Sequence, residues 1–167
     1  MLRSFFLTRN QLKKIGFKKL GENVLIDKTV MIPNPERVTI GNNVRIDFNS
    51  ILSASKNSEI ILKNNIHIAP FNLIYSADKY KIIFEDHSSS AAGSKLYGRT
   101  DNYDGNTLIN PTHNISDLEI LKGNIILNKY TCLGCDTVLF PGSIIPIGTV
   151  LGSKSLYSAK KDLKEWS

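Results

Sequence analysis

Large apolar residues recur along this chain at a spacing of six. Cut from Leu127, the sequence reads LNKYTC LGCDTV LFPGSI IPIGTV LGSKSL, and Leu127, Leu133, Leu139, Ile145 and Leu151 open the blocks. The fifth place is small and hydroxylated each time: Thr131, Thr137, Ser143, Thr149 and Ser155. Neither a helical period of 3.6 nor a strand period of 2 produces that spacing. A repeat of six is the signature of a parallel β-helix, with three blocks to each triangular coil. The opening residue then points into the prism, and the small fifth residue lets the chain turn a corner. Gly134, Asp136 and Gly152 fall in the second to fourth places, where left-handed backbone is tolerated best by such residues.

The same frame extends upstream. Its sets of three openings are Leu20, Ile26 and Ile32, then Ile40, Ile46 and Leu52, then Leu62, Ile68 and Ile74, then Phe84, Ser90 and Leu96. Only Ser90 breaks the rule. Between sets the step lengthens from six to eight, ten, ten and finally 31 residues. Three blocks complete a coil, so every insertion leaves from the same corner, and insertions that share an edge usually build the working surface. The longest, 97–126, is polar and turn-rich and too long for a mere connection. It is expected to be an arm that reaches across a neighbouring subunit. Ahead of the coils, Thr8-Arg9-Asn10-Gln11 has capping-box spacing and predicts a short helix closing the open end of the prism. The expected organisation is one all-β domain: a cap over 1–19, coils over 20–96 and 127–156, the extended loop over 97–126, and a tail over 157–167.

Composition narrows the function. The chain has 167 residues, with 21 basic and 15 acidic, for a formal charge of +6. That surplus suits a phosphorylated ligand but is too mild and dispersed for a nucleic-acid partner. No apolar run approaches a membrane span, and Met1 to Thr8 is too short for a secretory signal. The expectation is a soluble cytoplasmic protein without stable membrane insertion. Cys132 and Cys135 form one C-x-x-C, half of a zinc site at most. They fall in the sixth and third places of adjacent blocks, as non-core residues, and no metal is expected.

From about Ile15 to Trp166 the chain resembles the left-handed β-helix, hexapeptide-repeat acetyltransferases. The likeness is carried by LGENVLID, IGNNVRID, TDNYDG…NPT, LGCDTVLFPG and DLKEWS, and it points to the branch that acetylates sugars of surface-polysaccharide and nucleotide-sugar pathways. The resemblance implies a homotrimer, acetyl-CoA as donor, a sugar acceptor, and active sites in clefts between subunits. It also implies the left hand of the coil, where the general rule for parallel crossovers gives the right. Many family members carry a catalytic histidine early in the long loop, at the place Asp101 holds here.

Acyl transfer from a thioester needs a base for the acceptor's proton, a donor facing the oxyanion, and a channel for the pantetheine arm. Histidine is the natural base near neutral pH. His113, in NPTHN of the long loop, is the expected base, with Asp101 or Asp104 helping. His67, at a corner of the Leu62 block, and His87, in the Phe84 block, are weaker candidates. Tyr103, Asp104, Asn110 and His67 are expected to meet the acceptor, although Asp, Asn and Gly in this loop also simply make turns. By match to the family, Gly134, Cys135, Ser153 and Lys154 would line the donor channel, and Lys160 and Lys161 would meet the CoA phosphates. Asn72, on an inward fifth place, should be hydrogen-bonded between coils rather than catalytic. Two rivals stand beside this reading. One is a β-helix scaffold without activity, favoured by Asp101 at the histidine place. The other is a γ-class carbonic anhydrase, disfavoured because His67 and His87 fall at different block places and should not stack.

Overall fold

A computed structural model of the chain describes residues 5–55, 57–110 and 112–159. It begins with helix α1 (Arg9–Ile15). The first coil carries β1 (Lys19–Leu20) and β2 (Leu25–Ile26), and the second β3 (Val38–Ile40), β4 (Val44–Ile46) and β5 (Ile51–Ala54). The third holds β6 (Glu59–Leu62), β7 (Ile66–Ile68) and β8 (Leu73–Ser76), and the fourth β9 (Lys81–Phe84), β10 (Ser89–Ser90) and β11 (Lys95–Tyr97). An arm follows with β12 (Arg99–Asp101) and β13 (Ile120–Lys122). The fifth coil holds β14 (Ile125–Leu127), β15 (Cys132–Leu133) and β16 (Val138–Leu139), and the sixth β17 (Ile144–Ile145), β18 (Val150–Leu151) and β19 (Leu156–Tyr157).

The strands stack into three parallel faces of a left-handed β-helix. The first face runs β1-β3-β6-β9-β14-β17, the second β2-β4-β7-β10-β15-β18, and the third β5-β8-β11-β16-β19. Strand register turns the block openings into vertical columns. Leu20, Ile40, Leu62, Phe84, Leu127 and Ile145 form one. Ile26, Ile46, Ile68, Ser90, Leu133 and Leu151 form the second. Leu52, Ile74, Leu96, Leu139 and Tyr157 form the third. Every column residue between the end coils is at most 1% exposed, so the columns are the core.

The corners obey equally local rules. Buried residues at the fifth block place donate across to the next coil: Ser50 Oγ to Ala69 O at 3.1 Å, Ser94 Oγ to Gly134 O at 3.2 Å, Thr137 Oγ1 to Gly152 O at 3.2 Å. Asn72 does the same, Nδ2 to Ala91 O at 3.0 Å, which is the structural role its position predicted. At Gly41 a Cβ would sit 2.5 Å from Lys63 O, so the close stacking of coils there demands glycine. Between the first and second faces, Asn23, Asn43 and Asn65 sit one above another in left-handed backbone, each side-chain amide donating to the next at 3.1 Å. His87 ends this ladder, 3.4 Å from Asn65 Nδ2, and its ring stacks on Tyr130 at 5.1 Å. His87 is thus a corner residue of the scaffold.

The cap forms as the sequence predicts. Thr8 Oγ1 accepts from Gln11 N, Gln11 Oε1 accepts from Thr8 N at 2.8 Å, and Leu12 is buried against the first coil. Among the described residues no helix is long and apolar enough to cross a membrane. The connections β5–β6, β8–β9 and β11–β14 all leave the third face and return to the first, so the excursions share one ridge. The arm is shorter than the sequence suggested, because Tyr97 belongs to β11 and Ile125 and Ile126 to β14. At the other end, Tyr157 continues the third column where the sequence suggested a tail.

Candidate active site

The arm is tied to the ridge at its base. Gly98 N donates to Tyr75 O at 2.7 Å, and Gly123 N to Gly98 O at 3.1 Å. β12 and β13 then form an antiparallel hairpin in which Arg99 faces Lys122 and Asp101 faces Ile120. Asp78, on the β8–β9 connection, reaches both cations, with Lys122 Nζ at 3.0 Å and Arg99 Nη1 at 3.9 Å.

Between hairpin, arm and third face lies an open cavity of about 490 Å³. Tyr75 and Tyr97 form its wall on the prism, being register partners on β8 and β11. Arg99, Asp101 and Tyr103 line it from the first limb of the arm, and His113 and Ile115 from the far limb. Burial, and after it the neighbouring Tyr103, pushes the Tyr97 phenol above its ordinary pKa, so it stays a neutral hydrogen-bond donor. Thr100 Oγ1 donates to Tyr103 Oη at 3.2 Å. A carboxylate, an imidazole, three phenols and a guanidinium therefore meet around one space sized for a small polar molecule.

The sequence-derived candidates divide sharply. Asp101, Tyr103 and His113 come together here. Asp104 does not line the cavity: its carboxylate accepts from Asn106 N and Asn102 Nδ2, both at 2.9 Å, and shapes the turn. Asn110 likewise spends its side chain on Thr112 N at 3.0 Å. His67 is on the second face, away from the arm. Its Nε2 lies 2.8 Å from Asp47 Oδ2, and Arg45 Nε donates to Asp47 Oδ1 at 2.7 Å. Burial works to raise the Asp47 pKa, but these two partners outweigh it and hold the carboxyl below its ordinary value.

Gly134, Cys135, Ser153 and Lys154 gather at the corner between the second and third faces. Lys154 N donates to Cys135 O at 2.7 Å, and a Cβ on Gly134 would be 2.5 Å from Ser153 N. Both cysteines are free thiols. This corner is a different edge of the prism from the arm ridge. Lys160 and Lys161 lie outside the described residues. Sequence reasoning missed Tyr75, Tyr97 and Arg99. A signal existed for the two tyrosines: each follows a column residue, Ile74 or Leu96, immediately before the chain leaves the coil.

No family model matches the chain. It is similar to a dTDP-4-amino-4,6-dideoxy-D-glucose acyltransferase of Escherichia coli, at 31% identity over 151 residues, covering 90% of this chain and 77% of the relative. Among solved structures it is similar to AntD, an N-acyltransferase from Bacillus cereus. A serine-to-cysteine variant of AntD in complex with dTDP-4-amino-4,6-dideoxyglucose and coenzyme A superposes with a TM-score of 0.85 at 34% identity, covering 91% of this chain and 79% of AntD. AntD with dTDP and 3-hydroxybutyryl-CoA gives a TM-score of 0.86 at 33% identity, covering 93% and 80%. The polySia-specific acetyltransferase NeuO, at 21% identity and a TM-score of 0.51 over 82% and 64% of the two chains, shares the fold.

Proposed function

The chain belongs to the left-handed β-helix, hexapeptide-repeat sugar acyltransferases, and on that premise we propose that it N-acylates a nucleotide-linked amino sugar from an acyl-CoA donor. The observation that carries this is the similarity across nine-tenths of the chain to an acyltransferase of dTDP-4-amino-4,6-dideoxy-D-glucose. AntD, bound to the same amino sugar, favours nitrogen over oxygen as the acylated atom. The acyl group, expected from the sequence to be acetyl, is left to experiment, since AntD also holds 3-hydroxybutyryl-CoA.

The chemistry fits the arm cavity. The sugar's amine must be neutral to attack. Its lone pair forms the C–N bond at the thioester carbonyl, the carbonyl oxygen becomes an oxyanion, and collapse breaks the C–S bond to release CoA thiolate. The proton lost by nitrogen needs an acceptor. His113 is the proposed general base, and Asp101 the group that grips the amine across the same cavity. Asp104 drops out of this scheme because both its oxygens are committed to the loop. The proposed donor channel at Gly134 and Cys135 lies on another edge of the prism from the arm. An assembly in which one copy's arm meets the next copy's corner would unite the two halves, which supports the expected homotrimer.

The test is turnover of dTDP-4-amino-4,6-dideoxyglucose with acetyl-CoA and 3-hydroxybutyryl-CoA, followed by free-thiol release and mass of the product. An amide product with either donor is expected. Absence of product with both, from a folded oligomer, overturns the proposal. Light scattering should report three copies, and a monomer with full activity would remove the composite cleft.

A further inference from the structure

The surplus charge that composition presents as dispersed is concentrated at one end of the chain. Residues 1–20 hold six basic side chains and no acidic one, while residues 21–167 hold 15 of each, so the whole formal charge of +6 belongs to the first 20 positions. The fold turns that segment into a surface. Helix α1 buries Leu12 against the first coil and leaves Asn10, Lys13 and Lys14, at i, i+3 and i+4, exposed on its far side. Lys19 is exposed on β1, the terminal strand of the first face. Phe5 O accepts from Lys28 N at 3.0 Å, just past β2, the terminal strand of the second face. The Phe5 side chain is 73% exposed, more than any other large apolar residue among those described.

Two cations of this end are spent within the chain: Arg9 Nη2 lies 2.9 Å from Glu22 Oε1, and Lys18 pairs with Glu59. Lys13, Lys14 and Lys19 have no ion-pair partner among the described residues. Three unpaired ammonium groups and a bare phenyl ring therefore share the end of the prism that the cap closes.

We propose that this cap end docks on an anionic lipid bilayer, with the prism standing on the surface and no segment inserted across it. The inference goes beyond the acyl-transfer reading and does not depend on it. A polybasic cluster beside an aromatic anchor is what such a surface attracts: each cation near it strengthens partitioning about fivefold, and aromatic rings settle at headgroup level. Lipid is favoured over nucleic acid by the kind of cation and its setting. The unpaired groups are lysines, hydrated point charges without the planar fork that reads a base edge, and they stand on the end of a prism rather than along a groove. In the proposed trimer, threefold symmetry would put the three copies of each cap residue in one plane, so the three caps can meet a flat surface together. The arm leaves after the fourth coil. At about 4.8 Å per coil its cavity stands roughly 15 Å above the first coil, so docking leaves it open to soluble substrates.

The experiment is co-sedimentation of the full chain with phosphatidylcholine vesicles, and with vesicles in which about a third of the lipid is phosphatidylglycerol. Binding is expected only with the anionic vesicles, and it should fade as added salt shortens the screening length. Lys13→Gln, Lys14→Gln and Lys19→Gln should each weaken partitioning about fivefold, and the three together about 100-fold. Lys129→Gln, which removes the same charge from the fifth coil, should change it less than about twofold. Phe5→Ser should weaken binding without altering its salt dependence. An unaltered melting transition in each variant separates lost docking from lost fold. Equal sedimentation with neutral vesicles, no binding to anionic ones, or an equal loss in Lys129→Gln overturns the proposal. A mixed-sequence oligonucleotide that displaces the chain from vesicles and shows the same lysine dependence would reassign the surface to nucleic acid and also overturn it.

Discussion

The break in the core column at Ser90 makes a quantitative prediction. Most inner layers of the prism present three aliphatic side chains, such as Ile40, Ile46 and Leu52 or Leu127, Leu133 and Leu139. The fourth coil presents Phe84, Ser90 and Leu96, all at most 1% exposed, and the Ser90 hydroxyl has no hydrogen-bond partner among the described residues. The physical reading is exchange of volume within one layer: the phenyl ring fills what a serine leaves open. Truncation to alanine costs about 3–5 kcal/mol for a buried Phe and about 2–5 for a buried Leu, so Phe84→Leu alone should cost about 1 kcal/mol. Ser90→Val alone sets overpacking of about 1–3 kcal/mol against relief of an unpaired hydroxyl of about 1–3 kcal/mol, and should lie near neutral. Together, the introduced valine occupies the space the ring vacates. The pair should then be more stable than the sum of the singles by about 1 kcal/mol, within the range for residues in contact. Urea unfolding of the four proteins at one fixed concentration measures this, because assembly would otherwise shift the midpoints. Additive losses within about 0.4 kcal/mol would show that the serine and the ring are unrelated.

Three further outcomes are expected. His113→Ala should lower kcat about 100-fold, the lower range for a general base, while Asp101→Asn should raise KM for the amino sugar; full activity of both variants would empty the arm cavity of its proposed role. Because the folded Asp47 carboxyl titrates below its ordinary pKa, its bonds to His67 and Arg45 stabilise the fold fully above about pH 4, and that stabilisation is lost as pH falls through the lowered value. Asp47→Asn should therefore flatten the acid limb of a melting-temperature profile, and an unchanged limb would refute the linkage. Asp78→Ala should leave global stability within about 1 kcal/mol, as ion pairs of this exposure contribute little, yet speed proteolysis within the arm by freeing Arg99 and Lys122; equal cleavage rates would mean the hairpin is held elsewhere.

What the chain reveals by itself follows from which constraints repeat. A column residue meets the same demand in every coil, so the period of six fixes fold, register and the shared ridge without any distant information. Thr8 and Gln11 are legible because a cap is made from neighbours in sequence. The arm is different. Whether Asp101 or Asp104 faces the cavity depends on the pairing of Arg99 with Lys122 across the whole loop, and no period encodes that pairing. Turn-forming Asp and Asn residues look the same as ligand-binding ones until their side chains are seen spent, as those of Asp104 and Asn110 are. His67 misled for a related reason: its block place correctly puts it on an outer face, but not on which of three edges the arm would stand. The informative residues are therefore those that break the repeat without a compensating partner in their own layer. Ser90 has such a partner in Phe84, and so belongs to the core. Tyr75 and Tyr97 have none: they stand just past the column, at the point where the chain abandons the coil. Bulk there is not needed by the prism, and this is why their shared wall belongs with the chemistry rather than with the scaffold.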